Sequence, residues 1–341
     1  MEDCNSSKIL QKIRNQIFSN FNQRGTILQK VNYVNTYVLS NIWYISQSIM
    51  IDQEVLKEIT RISLNYIYSG ENERPVRALN FRSREAGGLG LMNPTLKCRA
   101  FMLKSMNKEF NNLENDENRI IDLYGYKNDF RDLLKENCDL RDVSTIYNIL
   151  IRKETYKNGL LIPSRAELRA QHINWELAWH NLRTIKGIGP EEKCFMFKVQ
   201  QDLLPVGTRM HRKGADKRCL ANLNDDATCT ELEDRKHALL TCPTVLEKST
   251  ILKEVLREIF DRHLNDEEIL YFSYYDRDKN KKKAGLWIAI KMLYCIHYDR
   301  NMNKVQLLRK MLKEINWNLQ MNIKEHVMFS MLKTVILNRL I

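Results

Sequence analysis

The chain has 341 residues, with 54 Lys and Arg against 42 Asp and Glu, so its formal net charge is +12. That excess points to an anionic partner, nucleic acid ahead of an acidic membrane surface. Hydrophobic residues make up 43%, which excludes global disorder, and no apolar run of about 20 residues is present to cross a membrane. The opening "MEDCNSSKIL" has no basic-then-apolar leader. The eight cysteines are therefore expected to stay reduced inside the cell, in nucleus or cytoplasm.

Glycine and proline are scarce and helical spacing dominates, so the expected fold is mostly α. Ile9, Leu10, Ile13, Ile17 and Phe21 recur every three or four residues. A second helix is expected over 26–51 and a third over 53–69, with Val55, Ile59, Ile62 and Tyr66 as its stripe. Together they predict a helical bundle over 1–70. "SGENERP" and "EAGGLGLMNP" then break the pattern, and Pro94 suits the first turn of a helix carrying Leu96, Ala100, Leu103 and Met106. This basic segment covers 71–110.

Residues 111–160 are polar and weakly periodic, and predict a linker with short helices. A helical segment is expected over 161–204, interrupted at "KGIGP", followed by a cysteine-bearing module over 205–245. The last region, 246–341, predicts a helical bundle. Leu252, Leu256, Ile259 and Phe260 open it, and further helices are expected over 286–298, 305–319 and 327–340. No internal repeat or strand-rich stretch stands out.

Signals for catalysis are weak. Neither glycine-rich phosphate pattern is present, and "AGGLGL" does not join a strand to a helix. Asp225 and Asp226 sit in "NLNDDAT", which reads as a polar turn rather than a rigid two-metal site. "YYDRDKNKKK" reads as a solvated charge run. His172, His180, His211, His263, His297 and His326 are isolated, and each is expected to be structural or exposed.

Binding signals are stronger. Between Arg74 and Lys108 stand Arg77, Arg82, Arg84, Lys97, Arg99 and Lys104, with Glu85 the only acid and Phe81 and Phe101 interleaved. Such a stretch can neutralise phosphates and release counterions. A second cluster, Arg209, His211, Arg212, Lys213, Lys217 and Arg218, leads into Cys219.

From there the spacing is Cys219-x9-Cys229-x7-His237-x4-Cys242, across "CTELEDRKHALLTCP". His-x4-Cys sets two donors a turn or tight loop apart, as structural zinc sites do, and thiolate and imidazole both suit zinc. Zinc is therefore expected ahead of unliganded thiols and of a disulfide. Cys219 is the least constrained ligand, and His211 is the alternative to it.

Two of these motifs, in this order, resemble the thumb, post-thumb and C-terminal Cys-Cys-His-Cys segments of non-LTR (LINE-like) retrotransposon reverse transcriptases. Trp43, Tyr44, Arg77, Gly87, Gly88, Leu89, Gly90, Leu91 and Asn93 match the first. Cys229, Glu233, His237, Leu239, Cys242 and Pro243 match the second. The resemblance spans about residues 10–310. It implies a thumb-like bundle that grips a primer–template duplex and a zinc segment that helps hold RNA or DNA through the backbone.

The first cysteine stands further from the second than is usual in the family. The family's Tyr-x-Asp-Asp polymerase carboxylates have no counterpart in the chain. The expectation is a non-catalytic, largely sequence-independent nucleic-acid-binding fragment. The alternatives are a portion of an active RNA-directed DNA polymerase whose palm lies upstream, and a scaffold or decayed fragment with no binding role.

Overall fold

The computed structural model describes residues 2–19, 25–69, 77–110, 133, 139, 141–157, 160–207, 218, 219, 229, 231–321 and 325–340. The six segments expected from sequence gather into two compact units, Met1–Ile162 and Pro163–Ile341. Both are built from helices, as expected. Among the described residues the only strand pairing is a two-residue antiparallel ladder, Tyr156–Lys157 on Leu160–Leu161, and an isolated bridge at Arg218.

The first unit contains α1 (Glu2–Ser19), α2 (Ile27–Tyr33), α3 (Ser40–Ile45), α4 (Gln53–Ile67), α5 (Arg77–Phe81), α6 (Pro94–Phe110) and α7 (Val143–Thr155). The stripes behave as expected: Ile13 and Ile17 on α1 and Val55, Ile59 and Tyr66 on α4 are buried. The single helix expected over 26–51 is interrupted. Thr26 and Gln29 form a capping box at its start, but a π-turn over Val34–Val38 divides α2 from α3. The run then stops before Asp52, whose carboxylate accepts the Glu54 amide and starts α4.

Residues expected as polar linker end in a core helix. Asp142 caps α7 by accepting the amides of Ser144 and Thr145. Val143, Ile146, Ile149 and Leu150 then pack on Leu96, Ala100 and Leu103 of α6.

"GGLGL" forms a compact turn over the end of α5. Gly87 and Gly90 have φ of +78° and +68°, which glycine adopts without strain. Four successive amides are used internally: Gly88 donates to Ser83 O, Leu89 to Leu79 O, Gly90 to Arg82 O and Leu91 to Asn80 O. Asn35 holds the turn from the π-turn side. Its amide nitrogen donates to Gly90 O at 2.9 Å, and its oxygen accepts the Met92 amide at 2.9 Å. With its amides committed, this turn offers no cradle for phosphate, in keeping with its sequence context.

A Cβ on Gly88 would lie 2.1 Å from the carbonyl oxygen of Arg82, a backbone atom that cannot swing aside. Gly88→Ala is therefore expected to destabilise the protein by about 3 kcal/mol. Thermal or urea unfolding checks this, and an unchanged midpoint would show that the turn yields.

The second unit contains α8 (Arg165–Arg169), α9 (Trp175–Thr184), α10 (Pro190–Gln200), α11 (Pro243–Phe260), α12 (Asp266–Tyr271), α13 (Lys279–Tyr298), α14 (Lys304–Met321) and α15 (His326–Asn338). One core runs from Ile185 to Ile336 and includes Cys219, Cys229 and Cys242. Three cysteines of the expected module thus belong to this core.

Helix α13 lies at the centre, buried from Ala284 to Ile290. Gly285 lets α11 approach, since a Cβ there would meet the Phe260 ring at 2.3 Å. Trp287 donates to Gly187 O at 3.0 Å and meets the Phe329 ring edge-on. The charge run "YYDRDKNKKK" has a structural use: Asp278 caps α13, accepting the Asn280 and Lys281 amides. Among the described residues, no helix is long and apolar enough to cross a membrane.

Candidate metal centre

Cys219, Cys229, His237 and Cys242 converge. Each offers one ligand atom, and these atoms all lie within 4.8 Å of one another. All four residues are buried, none more than 8% exposed. Cys219 Sγ lies 3.5 Å from Cys242 Sγ, and Cys229 Sγ lies 3.2 Å from His237 Nε2.

A tetrahedral zinc site with bonds near 2.3 Å to sulfur and 2.0 Å to nitrogen has ligand–ligand edges of about 3.5–3.8 Å. The Cys219–Cys242 and Cys229–His237 separations lie near that size, and no pair of ligand atoms is more than 4.8 Å apart. The distance between the Cys219 and Cys242 sulfurs is far beyond a disulfide bond of about 2.05 Å. This group can hold a metal ion, and four donors close the shell.

The chain reaches this arrangement by short-range devices. Cys219 is placed by pairing: its amide donates to Glu231 O at 3.0 Å, beside the Arg218–Leu232 bridge. His237 opens a π-turn, His237–Thr241, after Asp234 accepts its amide at 2.7 Å. The Cys242 amide donates back to His237 O at 2.9 Å, five residues away. That wide turn brings the two ends of His-x4-Cys together. Pro243 then starts α11 with Cys242 as its N-cap, so the helix dipole favours negative charge at this sulfur.

Ala238, Leu239 and Leu240, between the ligands, are fully buried. They anchor the π-turn in the core while the ligands face one another.

Thiol acidity separates Cys242 from Cys98 and Cys295. Burial pushes the Cys98 thiol up to about 12 and raises that of Cys295. Burial acts the same way on Cys242. There it is outweighed by hydrogen bonds from Thr244, Cys219 and Cys229, and the net direction is down, toward the thiolate that metals bind.

Glu233 supports the site from beside it. It is fully buried, accepts the Gly207 amide at 2.8 Å, pairs with Arg300 at 2.7 Å, and lies 3.9 Å from Cys219 Sγ. The sequence motif included Glu233 without indicating this anchoring role. Lys248, also buried, donates to the Arg300 carbonyl.

Cys219 stands with the other three, as the spacing allows. His211 lies outside the described residues, as do Asp225, Asp226, Lys217 and the proposed phosphate contacts Arg74, Arg209, Arg212 and Lys213.

The rest of the basic stretch separates into different environments. Arg77 and Lys104 are exposed. Arg84 is exposed but tied to Asn32 Oδ1 at 2.6 Å and Leu89 O at 3.2 Å, and burial of its head lowers its pKa. Lys97 is half-buried over the Phe101 and Tyr147 rings, 5.6 and 5.1 Å from their centres. Arg99 is also half-buried.

Arg82 departs furthest from expectation. It is 1% exposed, and its guanidinium donates to the carbonyls of Ala86 and Ile162. It braces the glycine turn from beneath and presents nothing to a phosphate. Of the matched Trp-Tyr pair, Trp43 packs near Phe101, whereas Tyr44 is 82% exposed.

The chain matches no protein-family model and no curated protein.

Proposed function

We propose that this chain is a zinc-braced, non-catalytic nucleic-acid-binding part of a LINE-like reverse transcriptase. The observation that carries the reading is the convergence of Cys219, Cys229, His237 and Cys242 within 4.8 Å, on the spacing that resembles that family's C-terminal segment. Three sulfur donors and one imidazole favour zinc over harder divalent ions. A closed four-donor shell leaves no position for a reactive water, so the zinc is structural. Its role is to tie Cys219 and Cys229 to the π-turn that carries His237 and leads to Cys242.

The glycine turn and the net charge of +12 support the remainder of the reading. In the first basic stretch Arg77 and Lys104 are exposed, while Arg84, also exposed, is tied to Asn32 and Leu89; Arg77 and Lys104 contact phosphates without reading bases.

The zinc-loaded chain is expected to bind duplexes of unrelated sequence alike, at roughly micromolar affinity in physiological salt, and more weakly as salt rises. Replacing Arg77 and Lys104 together by Ala should flatten the plot of log affinity against log salt by about two units. Fluorescence anisotropy at several salt concentrations measures both. Affinity that ignores salt, or a double variant with an unchanged slope, would count against this surface.

A further inference from the structure

Helix α14 carries a second candidate surface, distinct from the metal centre and from the basic stretch of the first unit. Leu307, Leu308, Met311 and Ile315 bury one side of the helix in the core, which fixes its orientation. Its other side carries Arg309, Lys313 and Trp317, four residues apart and so on one helical face. All three are exposed, and the Trp317 side chain is 60% exposed. They line an open groove of about 1050 Å³ together with Lys310, Asn316 and Gln320.

The acids around this groove are already neutralised. Lys291 bridges Glu192 and Glu314, and Lys310 pairs with Asp299 at 2.9 Å. Among the described residues, no carboxylate lies within ion-pair distance of Arg309 or Lys313. The groove thus offers two uncompensated cations, side-chain amides and one broad aromatic face on a rigid helix.

We propose that this face binds single-stranded nucleic acid, with an unpaired base stacked on Trp317 and adjoining phosphates on Arg309 and Lys313. The inference rests on the reading of the chain as a nucleic-acid binder but on different residues. Charge selects a polyanion, and the exposed indole selects one whose base faces are open. A duplex hides those faces within its own stack, so it can use the cations but not Trp317. Stacking and phosphate contacts do not sense the sugar, so RNA and DNA strands of equal length should bind within about threefold of each other.

The test uses the full chain and fluorescein-labelled oligo(dT) and oligo(rU) of about twelve nucleotides, a length within reach of such sites. Trp317→Ala should weaken binding of both strands about tenfold, with Trp317→Phe retaining most of the affinity. Arg309→Ala combined with Lys313→Ala should flatten the salt slope by about 1.4 units, the single-strand value for two phosphates. Tyr275→Ala removes another exposed aromatic, outside the groove, and should leave binding unchanged.

Circular dichroism of Trp317→Ala should match the parent, since the removed ring is on the surface. Strands bound equally well by the folded Trp317→Ala variant would overturn this inference while leaving the duplex reading standing. Duplex binding by the parent with no single-strand binding would do the same. No binding of any nucleic acid at low salt would overturn both.

Discussion

His237→Ala is expected to lose the metal and, with it, protease resistance across much of Pro163–Ile341. The reason is where the ligands sit. Cys219, Cys229 and Cys242 belong to the same core as Leu239, Leu240 and Val245. Folding that core without metal would bury three thiols and an imidazole against one another with no ion to satisfy them. Metal binding to structural Cys and His sites contributes on the order of 10 kcal/mol, which exceeds the whole stability of many domains.

A strong chelator should act on the parent chain as His237→Ala does, and added zinc should reverse it. Cys219→Ala should act in the same direction, because it too removes one of the four donors. Metal analysis and limited proteolysis on the same samples read both effects. Full metal content in His237→Ala would remove His237 from the ligand set.

Arg82→Ala is expected to lower stability by about 3 kcal/mol while leaving the salt slope of nucleic-acid binding unchanged. Truncation leaves the Ala86 and Ile162 carbonyls without their charged donor and opens a cavity beneath the glycine turn. A phosphate-binding arginine would give the opposite pattern, with unchanged stability and a slope flatter by about one unit. Urea unfolding and anisotropy on one preparation separate the two. Retained stability with weakened binding would restore Arg82 to the nucleic-acid surface.

The contrast between these residues shows what sequence could and could not convey. Helix stripes such as Ile13 and Ile17 or Val55 and Ile59 are periodic signals, and they were readable. So was the grouping of Cys219, Cys229, His237 and Cys242, because thiols and an imidazole spaced along a polar stretch suit a shared metal ion. Arg82 was not readable as buried. Its neighbours Ser83, Arg84 and Glu85 are polar, and its environment is decided by a turn that closes over it through Gly88.

Helix α7 was obscured for a related reason. Its stripe, Val143, Ile146, Tyr147 and Leu150, spans only two turns and follows a long Asn- and Asp-rich run, and it gains its meaning against the matching face of α6. Trp317 did carry a local signal, the four-residue spacing from Arg309 and Lys313. That spacing acquires meaning only once the opposite face of α14 is known to be buried. Conversely, the run "DRDKNKKK" needed nothing beyond local chemistry, since Asp at a helix start is a common cap.

X-ray absorption at the zinc K-edge on the purified, untreated chain tests the metal centre most directly. The predicted result is one zinc per chain with three sulfurs at about 2.3 Å and one nitrogen at about 2.0 Å, and no water-derived oxygen. A shell dominated by oxygen or nitrogen would contradict the assignment, as would a fully folded chain that contains no zinc.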